Sequence, residues 1–253
     1  MDTLEIHVCT GVLINPWAVL IPASCNRPGF PLVRVKSSNL NGVGPSEQQE
    51  KLKVCQKIVH ADFEGRTEGS NNIALLILGR NASTPVDMMP GLKALEDCAE
   101  KPQMYGWFAP TLNSGPSEDL KVVDMKPVKR TECEDKFPGL SSGSVCLETD
   151  LAQGMTWSPG AVLTCKSTDV IGMMTHTLPG SRPDLGPSPN TRLPYVFTSA
   201  WEHREWIKAL GGKRSEVLYN ELDDECQNIE TGVCKVNADG TESCKATADV
   251  PSD

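Results

Sequence analysis

Up to about residue 197, the chain is a series of short apolar runs, each cut off by Gly, Pro, Asn or Ser. The runs are Ile6 to Ile14, Ala18 to Ile21, Leu32 to Val35, Leu52 to Val59, Ile73 to Leu78, Leu120 to Val123, Ala161 to Leu163 and Val170 to Met174. Separators such as "NRPGF", "LNGVGPSE" and "LPGSRPDLGPSPN" break any helical period. Runs this short cannot bury a face as helices. As strands they can, and many strands with few helices imply an all-β sandwich or barrel.

One helix is expected. Ser199-Ala200-Trp201-Glu202 has capping-box spacing, Trp206, Ile207 and Leu210 recur at helical intervals, and Gly211-Gly212 supplies a stop, so a helix is predicted over 199–210. Beyond residue 212 the composition turns polar and acidic, which divides the chain into a body, 1–212, and a Cys-containing C-terminal extension, 213–253. Within the extension, "CKVNADGTESC" centres Asp239-Gly240 between Cys234 and Cys244, the pattern of a small hairpin closed by a disulfide. The last several residues read as a disordered tail.

The ten cysteines are even in number and scattered, with no CxxC pair, and only four histidines accompany them. That pattern argues for disulfides and an oxidising compartment, and against a zinc module or other metal site. Asn81-Ala82-Ser83 is an N-glycosylation sequon, in keeping with secretion. A net charge of −9 argues against nucleic acid or an anionic membrane as partner. No apolar run approaches the roughly 18 residues of a membrane span. Met1-Asp2-Thr3-Leu4-Glu5 lacks the basic start of a signal peptide, so a secreted protein would be represented here by its mature or trimmed chain. Nothing points to a cofactor.

Six motifs then fall in a familiar order: Cys9-Thr10-Gly11-Val12-Leu13-Ile14 leading to Pro22-Ala23-Ser24-Cys25; Ile58-Val59-His60-Ala61-Asp62-Phe63; Asn71-Asn72-Ile73-Ala74-Leu75-Leu76; Gly106-Trp107-Phe108; Glu132-Cys133 with Cys146; and Pro194-Tyr195-Val196-Phe197 through Trp206-Ile207. Together they resemble the chymotrypsin/trypsin family of serine proteases over roughly residues 4 to 210. The resemblance implies two six-stranded antiparallel β-barrels, joined near residues 86 to 105, with a C-terminal helix.

It also implies lost catalysis. Ser24 stands where the family has its catalytic His, and a Ser hydroxyl cannot act as a general base near neutrality. Asn72 replaces the catalytic Asp, and an amide cannot stabilise an imidazolium electrostatically. Counted back from Cys165, Pro159 takes the place of the nucleophilic Ser and offers neither a hydroxyl nor an oxyanion-hole N–H. Trp157 replaces the Gly of the other oxyanion donor, and Ser158 replaces the Asp that pairs with the freed N-terminus. Gln153 holds the base of the specificity pocket, and Tyr195 replaces a Gly of its wall, where a phenol should fill much of the space.

The same resemblance pairs Cys9 with Cys25, Cys133 with Cys146, and Cys98 with Cys165, and lacks the family's bridge beside the pocket. Cys55, Cys226, Cys234 and Cys244 are left over; Cys234–Cys244 with Cys55–Cys226 is one assignment, and spacing does not choose it. The function implied is that of a secreted, catalytically inactive homologue binding other extracellular proteins, active proteases or immune factors among them, as a regulator, cofactor or scaffold. Two other classes compete: a hydrolase with relocated catalytic residues, and a decoy or small-molecule carrier. Of His7, His60, His176 and His203 only His176 lies near the old cleft, and each reads better as a packed or surface residue than as a relocated base. No cavity for a carried ligand is legible.

Overall fold

A computed structural model describes residues 7–26, 32–41, 49–66, 70–84, 90–108, 115–149, 158–166, 168–176, 194–211, 232–236 and 242–246. The first half is built from β1 (Val12–Asn15), β2 (Ala18–Ile21), β3 (Leu32–Val35), β4 (Glu50–His60) and β5 (Ala74–Leu78). The second half comprises β6 (Gln103–Gly106), β7 (Lys121–Asp124), β8 (Lys126–Pro127), α1 (Arg130–Lys136), β9 (Ser144–Glu148), β10 (Val162–Cys165), β11 (Asp169–His176), β12 (Tyr195–Ser199) and α2 (Arg204–Gly211). A terminal hairpin, β13 (Gly232–Val236) and β14 (Glu242–Ala246), follows.

These strands form two curled sheets, and the all-β body with a terminal helix is as expected. The strand count is not: among the described residues each sheet has seven strands rather than six. In the second sheet, of order β7-β6-β10-β11-β12-β9-β8, one run is divided at Met125. That residue is buried and turns its N–H to the Pro102 carbonyl at 2.8 Å, leaving the two-residue β8 beyond it. In the first sheet five strands come from the first half, β1 to β5, and two from the hairpin. β13 lies parallel to β4, with Val233 opposite Lys57 and Val236 opposite His60, so that sheet is not wholly antiparallel.

β4 is long enough to change partners. Glu50 to Lys53 pair with β3, and Lys57 to His60 pair with β13. Between the two stretches its register with β5 slips at Val54/Gln56, which leaves Cys55 as the bulged residue. Cys55 is buried and disulfide-bonded. Cys9–Cys25, Cys98–Cys165 and Cys133–Cys146 are bridged to each other, with Cα separations of 6.1, 5.7 and 6.3 Å. The partner of Cys55 is therefore a cysteine of the extension. Cys234 stands directly opposite Cys244 across the hairpin.

β2 and β5 are apolar on both faces because both faces are covered. Ile73, Leu75 and Ile77 join Leu20, Ile58, Val162, Met173, Ile207 and Leu210 in a core shared between the halves. Ala74, Leu76 and Leu78 turn the other way, onto Val19, Ile21, Leu52 and Val54. A further core of Met104, Met125, Leu147, Leu163, Ile171, Met174, Tyr195 and Phe197 fills the second sheet.

The C-terminal helix starts later than its capping box suggests. The Ser199 hydroxyl accepts the Glu202 N–H at 3.3 Å, but the N–H of Ser199 is taken by the Gly143 carbonyl at 2.8 Å because Ser199 also ends β12. The box closes on one side only, a turn fills 200–203, and α2 proper begins at Arg204. The short α1, which buries Cys133, is a second helix beyond the one the sequence predicts.

Candidate functional site

Ser24 lies in a short 3₁₀ turn, Ala23–Cys25, that follows β2 after Pro22. Asn72 lies just before β5 and is 1% exposed. The two meet. The Ser24 N–H donates to Asn72 Oδ1 at 2.8 Å, and Asn72 Nδ2 donates to Ser24 Oγ at 3.1 Å. The amide thus engages both ends of one serine, which fixes its orientation. A carboxylate could accept the first bond but could not donate the second. The hydroxyl oxygen here receives a proton donor, the reverse of what a nucleophile needs from its base.

Ser158, Pro159 and Gly160 form a tight turn ahead of β10. Gly160 has φ +79° and donates to the Met174 carbonyl at 2.8 Å; Pro159 accepts from Thr10 N–H at 2.9 Å. A Cβ on Gly160 would collide with the Thr10 carbonyl oxygen, so only glycine fits. Ser158 is 1% exposed, and its hydroxyl has no hydrogen-bond partner. It is wedged against Gly106, where an added Cβ would stand 2.5 Å from Ser158 Oγ. Thr10 Oγ1, Trp107 Nε1 and His7 Nε2, from the segments packed around this turn, are also buried without partners. Burial depresses the pKa of the His7 ring, which therefore stays neutral near pH 7. No hydrogen bond among the described residues joins Ser24 to Ser158 or Pro159.

Tyr195 is buried within the core of the second sheet, beside Met174 and Phe197. Asn81 is exposed, so the sequon is accessible. Gln153 and Trp157 lie outside the described residues, as does most of the extension. His176 ends β11 opposite Val196. Among the described residues, no imidazole nitrogen is hydrogen-bonded to a side-chain hydroxyl or thiol.

The trypsin family profile matches residues 2–207. The chain belongs to the trypsin family. Human kallikrein-8 is 26% identical over 220 residues, spanning 82% of this chain and 78% of that protein. Glucanase inhibitor protein 2 of Phytophthora sojae is 30% identical over 135 residues, spanning 51% of this chain and 45% of that protein. The solved structure of neuropsin, a serine protease of mouse brain, shares the fold at a TM-score of 0.65 and 22% identity, covering 81% of this chain and 90% of its own.

Sequence reasoning overlooked one feature. His60 and His203 meet edge to face with ring centroids 5.7 Å apart, at a polar cleft of about 350 Å³. Taken singly, each reads as a packed or surface histidine. Two histidines 143 positions apart (203 less 60) leave no local signal of contact.

Proposed function

We propose that this protein is a catalytically inert, secreted member of the trypsin family that works by binding other extracellular proteins. The observation carrying this reading is the Ser24–Asn72 pair: the residues that meet are a hydroxyl and an amide, neither of which is a base near neutral pH. Pro159 adds a residue without a nucleophile at the turn where the family carries one. The paired cysteines support an oxidising compartment. The similarity to a protein named as a glucanase inhibitor supports use of this fold for binding rather than cleavage.

The partners we assign are secreted hydrolases or the factors of an immune protease cascade. The test is to immobilise the intact, disulfide-bonded protein and measure binding of active trypsin-like proteases and of a secreted glucanase, with their activity followed in parallel. Saturable binding that inhibits or enhances one of these enzymes is the expected result. Cleavage of the offered protease or of its substrate by the protein itself would overturn the reading.

A further inference from the structure

His60 ends β4 in the first sheet, whereas His203 sits on the turn leading from β12 into α2. His203 is 7% exposed and its ring bridges the halves: Nδ1 is 2.8 Å from the Ser199 carbonyl, and Nε2 is 3.2 Å from Asn71 Oδ1. Asn71 belongs to the turn before β5 and is held at φ +55°. His60 packs on the other side, 5.3 Å from the Trp206 ring of α2 as well as 5.7 Å from His203. The backbone N–H of Asp62 donates to His60 Nδ1 at 3.2 Å.

That last bond decides what protonation does. A neutral His60 offers the lone pair that Asp62 N–H needs. An imidazolium carries a proton on both nitrogens, so its Nδ1–H would face another donor. The new charge would also sit beside His203, whose ring centroid is 5.7 Å away. His203 tolerates a proton better, because both of its nitrogens face oxygen acceptors. The cleft lined by Ser70, Asn71, Ser141, Ser142 and Glu202 gives solvent a route to the pair.

We propose that His60, packed against His203 and Trp206, is an acid-sensitive tie that holds α2 against the first sheet when neutral and loosens it when protonated. Asp62, on the turn after β4, and Glu202, ahead of α2, favour the charged rings. The segment Ser141–Gly143 brings no charge, and on β13 Lys235 stands opposite Val59, one place from His60. Burial outweighs the carboxylates: it is the largest influence on both rings, and His203 adds to it at His60, so both histidines lie below their ordinary pKa of 6.5. A depressed histidine binds fewer protons folded than unfolded. Its stabilisation is therefore intact above about pH 6.5 and is lost as pH falls toward the folded value.

Two readouts on the intact, disulfide-bonded protein test this. The first follows the imidazole Cε1–H signals by NMR from pH 8 to 4.5. The second follows hydrogen exchange of residues 204–211 over the same range, corrected for intrinsic rates, with β10 and β11 as reference. Expected are two histidines titrating below 6.5 and an acid loss of protection in α2 of about tenfold for each pH unit by which the tie is depressed, with the reference strands unchanged. His60→Phe keeps a ring against Trp206 and His203 but binds no proton, and should abolish the acid loss. Titration of both rings at or above 6.5, unchanged protection in wild-type α2, or the same acid loss in His60→Phe would each overturn the proposal. Should His60→Phe fail to fold, the wild-type titration and exchange decide alone.

Discussion

A hydroxyl enclosed without a partner, as at Ser158, forfeits its bonds to water and gains nothing in return. Ser158→Ala is therefore expected to leave stability unchanged or raise it, by up to about 1 kcal/mol. Ser158→Asp places a carboxylate in the same enclosure and should cost on the order of 3–5 kcal/mol. Thermal unfolding of the two variants checks both signs, and a stable Asp variant would reveal a cationic partner. Restoring catalysis is a separate matter. The triple variant Ser24→His, Asn72→Asp, Pro159→Ser supplies the three side chains at the positions the resemblance assigns them, yet Trp157, which the resemblance sets at the oxyanion-hole Gly, is unchanged and Tyr195 stays buried in the core. A missing oxyanion donor alone costs roughly 3–4 kcal/mol in activation energy. The variant is expected to fold and to show no turnover of peptide esters above buffer; saturable hydrolysis would show the site to be more intact than argued.

β4 and the terminal hairpin carry the main element-scale consequence. The hairpin covers the backbone of Lys57 to His60, an edge that would otherwise lie open to a foreign strand. Cys55 adds a covalent tether at the bulge where β4 changes partner. Peptide mapping without reduction should find Cys55 linked to the extension; Cys226 is its assigned partner, given Cys234 opposite Cys244. A Cys55 thiol that reacts with an alkylating reagent would contradict the tether. Cys55→Ser should cost about 2–5 kcal/mol. The hairpin itself was legible from Asp239-Gly240 between two cysteines, because turn chemistry is local. Its parallel docking on β4 was not, because docking depends on an edge left free by strands far away in sequence. The late start of α2 has a similar cause: the Gly143 carbonyl claims the Ser199 N–H, a contact no spacing rule contains.

At the scale of the molecule, the trypsin fold was readable because apolar runs, cysteine positions and short motifs each constrain it independently. The body bridges Cys9–Cys25, Cys98–Cys165 and Cys133–Cys146 are present as the resemblance implied. The candidate site was readable only as a set of missing groups. That Ser24 and Asn72 carry no acid–base group follows from residue identity. That the two would satisfy each other through both ends of one amide requires coordinates. The histidine tie was invisible because His60 and His203 become neighbours only when α2 folds back on the first sheet. The central claim is that the chain has a protease's framework without its chemistry. The most direct measurement is active-site titration of the intact protein with a fluorophosphonate probe beside active trypsin, read by intact mass. The account predicts stoichiometric labelling of trypsin and an unchanged mass for this protein; a mass gain of one phosphonyl group on one of its serines would contradict it.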